Sequence, residues 1–158
     1  MKSLTLACTV LLCCAVPGAE AAVYKAGESI AGLKMKDQQG AEVTFKGGEA
    51  QFVLFDTPGG SGPSPSPQDP DWFKQNRALI VVNLAGFSGF RRRVAWSRIK
   101  AKPFRIWVVD NAAAAARFPR QSGKFTVLQL DDSGKIVAIR FAAPGKDVRQ
   151  MVEASVRQ

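Results

Sequence analysis

Apolar residues concentrate first in three stretches, Gln51 to Phe55, Ala78 to Leu84 and Phe104 to Val109. Short apolar runs bounded by turn formers, such as Gly47-Gly48 before the first, suit strands covered on both faces. Elsewhere the pattern alternates. Leu33 to Phe45 predicts two short strands around the turn Asp37-Gln38-Gln39-Gly40, and Phe125 to Leu130 with Lys135 to Phe141 predicts a second hairpin around Asp131-Asp132-Ser133-Gly134. Helical spacing accounts for most of the rest. A short patch covers Asp71 to Arg77, and Phe87, Phe90, Val94 and Ser97 mark one face of a helix closed by Pro103. Asp110-Asn111 supplies a cap for Ala112 to Phe118, where five alanines are strong helix formers. Asp147 opens a last helix with Val148, Met151, Val152 and Val156 inward. Trp72, Phe73 and Trp107 read as core. Strands alternating with helices, then a hairpin plus helix, predict an α/β sandwich: a central mixed sheet flanked by helices, with right-handed crossovers between parallel neighbours.

Two segments stand outside this pattern. Met1-Lys2-Ser3 carries charge, Leu4 to Val16 is apolar, and Pro17-Gly18 precedes Ala19-Glu20-Ala21, the small-x-small pattern of a signal peptidase site. We expect residues 1–21 to be cleaved, placing the protein in the periplasm or outside the cell. The apolar run is shorter than the ~18 residues that span a bilayer, and Leu12 before Cys13 does not make a lipoprotein site. The second segment is PGGSGPSPSPQDP, Pro58 to Pro70, a loop by its proline, glycine and serine content. Residues 22–158 are expected to form one domain around it.

The chain carries 22 Lys and Arg against 13 Asp and Glu, a net +9 that the loss of Lys2 and Glu20 leaves unchanged. For an exported protein this charge points to an acidic envelope protein or an anionic surface, not to nucleic acid. The run Arg91-Arg92-Arg93 with Trp96, Arg98 and Lys100 is the candidate interaction surface. Its plainer reading is the solvated side of an amphipathic helix whose Phe90, Val94 and Trp96 belong to the core.

Candidate chemistry is sparse. There is no histidine, and Cys8, Cys13 and Cys14 all lie in the predicted leader. The mature chain is then without thiol or imidazole, and any acid–base role would need a carboxylate or lysine perturbed by burial. Ser61, Ser64 and Ser66 have no histidine to activate them. Nitrogen or sulfur metal sites are excluded, and Asp69 with Asp71 are the nearest carboxylates for calcium. A nucleotide or flavin reading of Phe55 to Gly62 lacks both the Gly-x-Gly-x-x-Gly array and the P-loop lysine. No metal or cofactor is expected.

The order of elements, with Gly27-Glu28-x-Ile30-x-Gly32-Leu33, Asp37 to Gly40 and Val43-x-Phe45 at the start, resembles the thioredoxin superfamily from Gly27 to Val156. The resemblance is to the branch of peroxiredoxins and tethered or exported thiol reductases. It implies that Phe52 to Phe55 delivers an active-site loop, and that Phe104 to Asp110 with its helix is the branch's inserted pair. Where that family places its cysteines, this chain has Asp56, Thr57, Pro58, Gly59, Gly60, Ser61 and Gly62. Where it places a cis-proline, just before Thr126, this chain has Phe125, and a trans bond is expected. With both halves of the redox site replaced, thiol–disulfide and peroxidase chemistry is not expected. Two functions stay open: a redox-inactive binding or accessory module in the cell envelope, or a non-thiol enzyme reusing the vacated pocket near Asp56.

Overall fold

The computed structural model of the chain describes residues 22–56 and 69–157. The predicted leader and Thr57 to Gln68, most of the Pro/Gly/Ser-rich segment, lie outside the described residues. Among those described, seven strands and four helices alternate: β1 (Lys34–Lys36), β2 (Glu42–Thr44), β3 (Phe52–Asp56), α1 (Pro70–Gln75), β4 (Ala78–Asn83), α2 (Gly89–Lys100), β5 (Ile106–Val109), α3 (Ala112–Ala116), β6 (Phe125–Leu130), β7 (Ile136–Ala142) and α4 (Lys146–Val156).

One mixed sheet holds the strands in the order β2-β1-β5-β4-β3-β6-β7. The three apolar stretches are its centre. β3 and β4 pair in parallel from Phe52–Ala78 to Asp56–Val82, and β4 and β5 pair in parallel from Ile80–Ile106 to Asn83–Val109. Helices connect these parallel neighbours, as they must. β6 runs antiparallel to β3, with Phe55 opposite Thr126, and β7 closes that edge.

Both faces of the sheet are buried, so β3 alternates between two cores. Val53 and Phe55 point to one, with Tyr24, Phe45, Trp107, Phe118 and Leu128; Phe52 and Leu54 point to the other, with Trp72, Phe73, Ile99, Val148 and Val152. The second core is where α1, α2 and α4 pack. Asp69 caps α1 by accepting from the amides of Asp71 and Trp72, with Pro70 at the first helical position. The carboxylate offered as a calcium candidate is therefore employed in capping. The Trp72 indole Nε1–H donates to Glu153 at 2.9 Å, as does Arg149 Nε at 2.8 Å, joining α1 to α4.

The turns formed as their chemistry dictates. Asp37 Oδ1 accepts from Gln39 and Ala41, and Asp131 Oδ1 accepts from Ser133 and Lys135. Gly134 sits at φ +83°, where a side chain is strained. Gly47 answers a different demand: a Cβ there would meet the Asp132 and Ser133 carbonyl oxygens at 2.8 Å.

Several boundaries shifted. β5 begins at Ile106, because Phe104 is buried but outside the ladder. α3 stops at Ala116, two residues short of the buried Phe118. α4 starts at Lys146 after Gly145, which places Asp147 in its first turn, and Val156 is exposed. The larger correction is α2, whose inward face consists of Ala95, Trp96 and Ile99 packed on the second core. Phe90 is 73 % exposed and Ser97 is exposed. Of the predicted apolar stripe, Phe90 and Ser97 are exposed and Val94 is half-buried, while Phe87, ahead of the helix, packs on the second core.

Candidate functional site

Two places carry the residues singled out from the sequence. The first is the end of the sheet where β3 stops. The antiparallel pairing of β3 and β6 puts Asp56 beside the start of β6, so Asp56 and Phe125 occupy one end of the sheet. Thr57, Pro58, Gly59, Gly60 and Ser61 lie outside the described residues. No described peptide bond is cis.

The described flank of this end is filled with packed side chains. The Phe55 ring stacks on Phe118 with centroids 4.0 Å apart, and the Arg120 guanidinium lies 6.0 Å from the Phe55 centroid while donating to the Ala115 carbonyl at 2.8 Å. Thr126, fully buried, donates its hydroxyl to the Pro119 carbonyl. Phe125 is buried with Val127 and Ala142 on the opposite face. Among the described residues, no three Asp, Glu, His or Cys side chains gather in a way that could hold a metal ion.

The second place is α2. Its five cations do not act alike. Arg92 Nη2 reaches Asp110 Oδ2 at 2.7 Å, and Lys36 Nζ from β1 reaches the same oxygen at 2.6 Å. Asp110 sits between β5 and the cap of α3, so this cluster ties the entry hairpin and α2 to the end of the central sheet. Its partial burial alone would raise the carboxyl's pKa. The hydrogen bond and charge of Lys36, the charge of Arg92 and a backbone contact outweigh that and hold the pKa below the ordinary carboxylate value.

Arg91, Arg93, Arg98 and Lys100 are exposed and make no ion pair among the described residues. Trp96, offered from sequence as an exposed anchor, is half-buried against the second core. Beside it runs a shallow depression of about 420 Å³ lined by Gly89, Arg92, Arg93, Trp96, Ser97 and Lys100. A neighbouring one of about 370 Å³ adds Lys36, Gln39 and Gly40 from the entry hairpin.

The helix also breaks local rules. Arg91 and Arg92 stand in its first turn, where the positive end of the helix dipole disfavours cations, and that turn holds no acidic residue, so only Asp110 from beyond β5 offsets Arg92. Ser88 at the cap makes no side-chain bond. Sequence reasoning missed Asp110 and Lys36, since neither lies near α2 in the chain. The outward direction of Phe90 had a signal: cations stand on both sides of its stripe, while Ala95, Trp96 and Ile99 form a second apolar stripe interrupted only by Arg92.

No protein-family model matches the sequence, and no curated protein matches it. Solved structures do. The chain is similar to peroxiredoxin Q of Xanthomonas campestris, with a TM-score of 0.56, 15% identity, and 87% of this chain and 97% of that one covered. It is similar to a candidate protein disulfide isomerase of Bacteroides thetaiotaomicron, at TM-score 0.55, 12% identity, and 84% and 89% coverage. A candidate thioredoxin of Neisseria meningitidis gives 0.54, 15%, and 85% and 93%. The chain has the thioredoxin-like fold.

Proposed function

We propose that the protein is an exported, redox-inactive member of this fold, acting as a binding or accessory module in the cell envelope after cleavage near Ala21. The carrying observation is a mismatch between scaffold and chemistry. A fold matching thiol enzymes end to end has no cysteine after Cys14, and Asp56 stands at the close of the strand that would deliver the thiolate. Phe125 stands where the cis-proline would be. The thiolate is the reacting species in disulfide exchange and peroxide reduction, and no residue at this end can supply it.

Support for binding comes from α2. Arg91, Arg93, Arg98 and Lys100 have no ion-pair partner among the described residues, and Arg91 at the positive end of the helix dipole, with an uncapped start, weakens that end of the helix. Such local conflicts are expected where a surface serves function. The partner class is anionic. An enzyme built around Asp56 has less support, since the described flank of that position is occupied by the Phe55–Phe118 stack and the Thr126–Pro119 hydrogen bond.

The test is disulfide reduction of insulin and consumption of hydrogen peroxide by the full chain, alongside a variant with Cys8→Ser, Cys13→Ser and Cys14→Ser. Both proteins are expected to match the uncatalysed rate. Turnover above it that persists in the triple variant would refute the redox-inactive reading.

A further inference from the structure

We propose that the solvent face of α2 docks on an anionic phospholipid bilayer, with Phe90 entering the interface between two rows of cations. The proposal rests on the binding-module reading above and names the partner of that surface. With 3.6 residues per turn, positions seven apart lie nearly above one another. Phe90, Val94 and Ser97 thus form a crest opposite the inward Ala95, Trp96 and Ile99. Arg93 and Lys100 line one side of the crest, and Arg91 and Arg98 line the other.

Phe90 is the most exposed large apolar side chain among the described residues, at 73 %. A phenylalanine held in water at the crest of a helix, when the same helix buries Ile99, gains nothing from the fold. It gains apolar burial only from a partner. Every formally charged residue of α2 is cationic. The depression of about 420 Å³ beside the Arg93–Lys100 row has Arg92, Arg93 and Lys100 around it and suits a phosphate-bearing headgroup.

The geometry favours a bilayer over an acidic protein. An exposed apolar ridge with cations on both flanks matches a broad surface that is negative everywhere and apolar beneath, as interfacial helices require. A protein partner would need a groove with two acidic walls and an apolar floor.

The test is co-sedimentation of the chain from Ala22 onward, which contains every described strand, helix and core residue. The vesicles are phosphatidylcholine alone and phosphatidylcholine mixed with phosphatidylglycerol. Binding is expected only to the mixed vesicles and should weaken with added salt. Phe90→Ala should weaken it about tenfold, and the combined Arg91→Gln, Arg93→Gln, Arg98→Gln and Lys100→Gln variant about 100-fold or more. Arg140→Gln, on exposed β7, should leave it unchanged.

Equal binding to both vesicles, or none to either, would overturn the proposal. Loss on removing the cations with no effect of Phe90→Ala would overturn it too, and would point to an acidic protein. Circular dichroism of each variant separates these outcomes from misfolding. Absent vesicle binding sinks the bilayer alone, whereas thiol turnover in the cysteine-free variant sinks the module reading.

Discussion

Truncating Phe55 to alanine is expected to destabilise the protein by about 3–5 kcal/mol, the range for removing a large aromatic ring from a packed core. Phe55 is fully buried in the strand pairing β4 on one side and β6 on the other. Its ring stacks on Phe118, which in turn meets Tyr24 edge-on at 5.4 Å, so the cavity would open between the sheet and the layer carrying α3. Neither neighbour can collapse into it without leaving the other. Urea denaturation of wild type and Phe55→Ala checks this. A loss below about 1 kcal/mol would mean that the stack is not part of the packed core.

The second large effect belongs to Asp110. Asp110→Asn keeps the shape and an acceptor oxygen but removes the charge that Lys36 and Arg92 share. The expected loss at neutral pH is about 1–2 kcal/mol, toward the lower end for charged hydrogen bonds because both cations are more than a third exposed. The folded-state pKa of Asp110 lies below its unfolded value, so the native state favours the ionised form. Its stabilisation is therefore present above the unfolded pKa, about 3.9, and is lost as pH falls through the lower folded pKa. The difference between wild type and Asp110→Asn should be constant near neutrality and shrink toward zero below about pH 4. A difference that does not change with pH would remove the ion cluster from the account.

These two residues show what could be read in the chain. Phe55 was legible: Phe52 to Phe55 is apolar at consecutive positions, which suits a strand covered on both faces. The hairpins were legible for the same local reason, since Asp37 and Asp131 hold their turns through bonds to residues two and four positions on. Asp110 was not. Its partners lie on β1 and α2, and it reads locally as part of a helix cap, which Asn111 alone supplies.

The orientation of α2 failed through the same blindness. Two stripes with helical spacing compete in Gly89 to Lys100. The inward one begins beside Arg92, a residue that looks external until Asp110 is brought to it. Phe90 looks internal because it is apolar, yet the packing of Ile99 fixes the rotation of the helix and turns Phe90 out. Along the same C-terminal edge of the parallel strands, the pairing of β3 with β6 places Asp56 beside Phe125. The chemistry of that end was legible as an absence, because a missing cysteine needs no structure to be seen.

The central claim is that this scaffold works through the face of α2 and not through the site around Asp56 and Phe125. Arginine footprinting with phenylglyoxal on the chain from Ala22, with and without phosphatidylglycerol-containing vesicles, tests it most directly. Slowed modification of Arg91, Arg93 and Arg98, with Arg120 and Arg140 unchanged, is the predicted result. Protection concentrated at Arg120, which lies over Phe55 next to Asp56, with α2 reacting freely, would contradict it.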